Sequence, residues 1–165
     1  METSLNFSDI MTAIQAVILF LGLGATVFTL FLQNKANKRL ATLNLIIHQR
    51  SDEKLNNAID LVFKLATEST DFDDLSKYLI NKDSEERNAI LKVLNYREFV
   101  AVGINSGIID EKAYKQAYYS VTIRDWNILQ KTIISIRNNR KSQTLFQDFE
   151  FLVRKWKKKP LKVLK

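Results

Sequence analysis

An all-α fold with one membrane-crossing helix near its start is predicted by three observations. Twenty-five uncharged residues lie between Asp9 and Lys35. From Ser51 onward apolar residues recur at three- and four-residue intervals, and no stretch alternates polar with apolar long enough for a strand. One Pro and four Gly are a poor supply for a turn-dense β fold, and the absence of Cys excludes disulfides, thiolate zinc sites and thiol nucleophiles. A single His removes most acid-base triads.

The apolar part of the uncharged stretch, residues 10–32, rises about 35 Å as a helix, enough to cross a bilayer with some tilt. Residues 1–9 are then an extracytoplasmic N-terminus and residues 33–50 a juxtamembrane helix. A cleaved signal peptide needs a basic start and a small-residue exit, whereas Glu2 and Asp9 precede this segment and Lys35, Lys38 and Arg39 follow it. A buried core helix rarely runs so far without a charge. Lys and Arg are absent before the span and number four between Lys35 and Arg50, which predicts a single-pass protein of the bacterial inner (plasma) membrane with its C-terminal side in the cytoplasm.

The polar residues of the span form a stripe. Ser8, Thr12, Gln15, Leu19, Gly22, Thr26, Thr29 and Gln33 are spaced alternately four and three apart, and the alternation continues through Ala36, Leu40, Leu43 and Ile47. The seam is therefore small and polar where lipid surrounds it and apolar where water does. Association in lipid relies on close approach and interhelical hydrogen bonds, while in water it is driven by Leu and Ile burial. A self-associating helix from about residue 7 to residue 48, in a parallel homo-oligomer, is one expectation. The other is that the hydroxyls bond their own i−4 carbonyls and that Leu40, Leu43 and Ile47 pack on the protein's own domain.

Residues 51–157 read as one helical domain. Ser51, Asp52 and Glu53 open a helix that ends near Glu68 and buries Leu55, Ile59, Val62, Phe63 and Ala66. Asp71 to Asp74 start a short helix reaching about Ile80. Asp83 or Ser84 caps a longer one through Ile90, Val93, Leu94, Val100, Ala101 and Ile104, which Asn105, Ser106 and Gly107 stop. Asp110 caps a helix containing Ala113, Ala117 and Tyr118, and a further helix carries Trp126, Leu129, Ile133 and Ile136. A last one from about Ser142 places Leu145, Phe149, Leu152, Val153 and Trp156 on one face.

The run Leu94-Asn95-x-x-Glu98-x-x-Ala101-x-Gly103-x-x-x-Gly107-x-x-Asp110, followed by Trp126, Arg137 and the Leu152 helix, resembles a bacterial family classed as a domain of unknown function, number 4760. The likeness covers roughly residues 40 to 156. It implies one N-terminal span and a helical cytoplasmic domain, and no activity. Members are often prophage-borne, which implies a phage-defence or superinfection-exclusion role. Within the run, Glu98 lies on an otherwise apolar segment, where a buried carboxylate needs a cation or a shifted protonation state. Arg137 is its expected partner in a structural ion pair, a surface Glu98 near Arg97 or Lys92 being the alternative. Gly103 permits a close backbone approach.

The net charge of +7 comes from one end: residues 154–165 hold seven Lys or Arg and no acid, and residues 1–153 hold eighteen of each sign. The basic tail, residues 158–165, follows Trp156 and interleaves Leu161, Val163 and Leu164 with lysines. Lys155, Lys157, Lys158, Lys159 and Lys162, together with Lys35, Lys38 and Arg39, are expected to meet anionic lipid headgroups at about 1 kcal/mol per cation. A solvated tail after Pro160 and nucleic-acid phosphate are the competing readings. Asp71, Asp73 and Asp74 read as helix-start acids, His48 as a partly exposed structural residue, and Tyr114, Tyr118 and Tyr119 as core and rim. No catalytic set, metal site or cofactor motif is expected.

These readings predict a membrane-anchored cytoplasmic interaction module, self-associating and engaging an unknown protein partner. A membrane-perturbing effector with Thr12, Gln15, Thr26, Thr29 and Gln33 lining a pore is the first alternative. A membrane-tethered nucleic-acid binder is the second, and an enzyme comes last.

Overall fold

The computed structural model describes residues 6–68 and 74–162. Its elements are α1 (Phe7–Ser51), α2 (Glu53–Glu68), a short 3-10 helix (Ser76–Leu79), α3 (Glu85–Asn105), α4 (Glu111–Arg140) and α5 (Gln147–Lys158). Among the described residues there is no strand. The chain divides into two units, Met1–Lys38 and Arg39–Lys165.

In the first unit, α1 is long and apolar enough to cross a membrane. Every described side chain up to Asn37 is exposed. Its polar stripe is quieted locally: Thr12 Oγ1 donates to the Ser8 carbonyl at 2.9 Å, Thr26 to Gly22 at 2.9 Å and Thr29 to Ala25 at 2.8 Å. Such i−4 bonds satisfy the hydroxyl without a second helix. A Cβ added at Gly22 or Gly24 would meet nothing within 4 Å.

In the second unit, helix starts follow the capping residues. Asp52 Oδ1 accepts the Leu55 N–H at 2.9 Å, Ser84 Oγ accepts from Arg87 at 3.2 Å, and Asp110 Oδ1 accepts from Ala113 at 3.1 Å. Gly107 has φ of +79°, the left-handed conformation that ends α3. The α2 stripe is Leu55, Ala58, Val62, Leu65 and Ala66; Ile59 is half-buried, and Phe63 is a correction to the expected core, being 45% exposed. The Arg124 guanidinium lies over its ring, 5.2 Å from the centroid. Asp71 and Asp73 lie outside the described residues, while Asp74 Oδ1 accepts the Ser76 N–H at 2.9 Å.

Two boundaries differ from the expected ones. The segments around Tyr118 and Trp126 belong to one 30-residue helix, α4. The polar residues between them, Thr122 and Asp125, are helical and buried, so the helix runs through them. The last helix begins at Gln147, because Lys141 and Phe146 take left-handed conformations at φ of 50° and 57° and form a turn between α4 and α5. Leu145 therefore precedes α5. The core gathers Ile90, Leu94, Ala101, Leu129, Ile133, Phe149, Leu152 and Trp156, with Trp126 edge-on to Phe149 at 5.3 Å.

Candidate functional site

The part of α1 in the second unit has two unlike faces. Thr42 and Gln49 are buried and Leu45 and Ile46 pack against the core. The other face carries Leu40, Leu43 and Ile47, 57%, 52% and 55% exposed. The expected alternative that these three pack on the protein's own domain is thereby corrected. These three large apolar side chains form an exposed row along the helix.

Polar anchors, seven residues apart, hold the inner face. Thr42 Oγ1 accepts the Asp110 backbone N–H at 2.8 Å. Gln49 Oε1 accepts from Tyr96 Oη at 2.7 Å and from Tyr114 Oη at 3.0 Å. Burial, reinforced by Tyr114, raises the Tyr96 pKa, and burial outweighs the nearby Arg97 to push Tyr114 up to about 12. Both phenols thus remain neutral donors. The network continues inward: Arg97 Nε and Nη2 donate to Asp125 Oδ2 at 2.9 and 2.6 Å, and Nη1 to Tyr114 Oη at 3.4 Å. Burial works to lower the Arg97 pKa, but Asp125, Tyr114 and Tyr96 together outweigh it and the net shift is upward. Arg124 reaches the other oxygen, Oδ1, at 3.0 Å.

Glu98 and Arg137 do not form the expected ion pair, and that reading is corrected. Glu98 Oε2 accepts the Phe149 N–H at 2.8 Å and Oε1 the Asp148 N–H at 3.3 Å. It caps α5 from α3, where Phe146 supplies no side-chain cap. Burial raises the Glu98 pKa despite these two bonds. Arg137 instead donates to Glu150 Oε2 at 2.7 Å and to the Leu145 carbonyl at 2.8 Å, across the α4–α5 turn. The far end of α5 is held by Glu111, which accepts from Lys155 Nζ at 2.6 Å and from Trp156 Nε1 at 3.1 Å. Burial works against the Glu111 carboxylate, but these bonds prevail and lower its pKa.

The expected headgroup cations are therefore not equivalent. Lys155 is tied to Glu111, Lys157 Nζ donates to Asn127 Oδ1 at 2.9 Å, and Arg39 lies 3.8 Å from Asp110. Lys35, Lys158, Lys159 and Lys162 are exposed, while Lys38 is half-buried. Val163 and Leu164 lie outside the described residues. His48 is exposed. Gly103 is approached by a side chain and not by backbone: a Cβ there would collide with Ile109 Cδ1. Among the described residues no three His, Cys, Asp or Glu are grouped to hold a metal.

Sequence reasoning missed the Arg97–Asp125 pair. The signal was present, since 90, 94, 97, 101 and 104 follow the same four-three spacing, which puts Arg97 on the buried stripe and Glu98 beside it.

The geometry defines a helical domain whose first helix extends into a segment long and apolar enough to span a membrane. The chain belongs to the family described as a domain of unknown function (DUF4760), whose family model matches residues 16–156. The match starts well before residue 40 and so takes in most of the apolar segment. No curated protein and no solved structure matches the chain. The residues that carried the resemblance hold the domain together. Glu98 caps α5, Asp110 caps α4, Gly107 ends α3, Arg137 bridges the last turn, and Ala101, Trp126 and Leu152 are buried. Asn95 is exposed.

Proposed function

We propose that this protein is a membrane-anchored interaction module that self-associates in parallel through α1 and carries no chemistry of its own. The observation that supports it is the exposed row Leu40, Leu43 and Ile47 on a helix whose opposite face is fixed to the domain. In sequence the row continues the four-three stripe of the apolar segment, as a two-solvent helix contact requires. The basic residues that follow the apolar segment favour an N-terminus outside and a cytoplasmic domain, with Lys158, Lys159 and Lys162 available to anionic headgroups. Threonine hydroxyls bonded within their own helix suit packing in lipid better than a water-filled pore.

Cysteine crosslinking in native membranes tests this. Disulfides should form at Leu43→Cys and at Thr26→Cys, and not at the exposed off-seam positions Ala41→Cys and Phe28→Cys. Equal crosslinking at all four positions, or none at any, refutes the seam.

A further inference from the structure

A groove of about 490 Å³ opens between α2 and α4, lined by apolar Phe63, Ile123 and Ile128 together with Tyr119 and Arg124. That size suits a small organic ligand. Its charge is one-sided. Asp125 is shared by two guanidiniums, Arg97 at 2.6 Å and Arg124 at 3.0 Å, so the three groups together carry a net positive charge. Arg97 is buried, and Arg124, whose side chain is 40% exposed, presents that surplus at the groove. Lys157 adds a second cation by bonding Asn127, another lining residue. Among the described residues, no acidic side chain lines the groove. Phe63 stays exposed although the helical pattern calls for its burial, and Arg124 stacks on its ring.

We propose that this groove binds a long-chain carboxylate, its head on Arg124 and its alkyl chain along Phe63, Ile123 and Ile128. The apolar lining selects the chain, and a guanidinium that shares its one carboxylate with Arg97 selects an anion over an alcohol. A groove walled by two helices offers a peptide no strand edge to pair with, and a two-chain phospholipid exceeds its volume.

The test uses the full-length protein in membranes with two photoactivatable probes, a diazirine-bearing C16 fatty acid and the corresponding alcohol. Mass spectrometry should place the acid's adduct on the peptides containing Phe63 or Ile123, and the alcohol should label them roughly tenfold less. Arg124→Gln should lower acid labelling by a similar factor. Thr67→Trp fills the groove without touching the Arg124–Asp125 pair and should also abolish it, which keeps the proposal testable if Arg124→Gln fails to fold. Equal labelling by acid and alcohol, adducts confined to residues 10–32, or labelling unchanged in Thr67→Trp would overturn it.

Discussion

On the two sides of Lys38, α1 treats polar groups in opposite ways. Between Phe7 and Lys38 the threonine hydroxyls bond carbonyls four residues back in the same helix. Beyond it, Thr42 and Gln49 reach partners 68 and 65 residues away in sequence, and Arg97 finds Asp125 across 28. A helix that faces lipid must settle its polar groups internally, because nothing around it can. A domain in water can spend buried polar groups on choosing which faces pack, at the risk that losing one partner strands the other.

That contrast is broken most severely at Asp125. Asp125→Ala strands the buried Arg97 guanidinium and should cost about 3–5 kcal/mol, read by guanidinium denaturation with tryptophan fluorescence. Both tryptophans, Trp126 and Trp156, sit in the second unit and report on it alone. The double change Arg97→Met with Asp125→Leu should recover most of that loss, which separates a stranded charge from lost packing. Next comes Gln49→Ala, which leaves the buried Tyr114 and half-buried Tyr96 phenols without their shared acceptor and should cost about 2 kcal/mol by the same measurement.

The two glutamates that hold α5 sharpen the comparison through opposite pH dependences. Glu98 has a raised folded pKa, so its contribution is fully present below the ordinary carboxylate value and is lost as pH rises through the folded one. Glu111 has a lowered folded pKa, so its contribution is present above the ordinary value and is lost as pH falls through the folded one. Stability measured from about pH 3 to pH 7 should lose a downward slope at its upper end in Glu98→Gln and an upward slope at its lower end in Glu111→Gln. Smallest of all should be Thr26→Val, within about 0.5 kcal/mol, since its hydroxyl serves only its own helix. A loss above about 1 kcal/mol on denaturation would show that this half of α1 supports the domain after all.

Helix starts at Asp52, Ser84 and Asp110, the stop at Gly107 and the apolar segment were all legible, because each depends on residues within a few positions of itself. The α5 start was not, because its cap comes from Glu98 and its donors are backbone N–H groups that no residue type announces. The split of α4 was misread for the same reason. Asp125 looks like a surface residue until Arg97 is known to face it, and Thr122, on the same helix, is buried as well.

The amino-acid order alone determined the helical class, the length of the apolar segment and the four-three stripe, since periodicity and length are local quantities. Only the packed domain decided which face of α1 turns inward, that Arg97 and not Glu98 carries the buried charge, and that Arg137 serves Glu150. Those outcomes depend on which groups from distant segments arrive within about 3 Å of each other, and burial then sets what each unpaired group would cost.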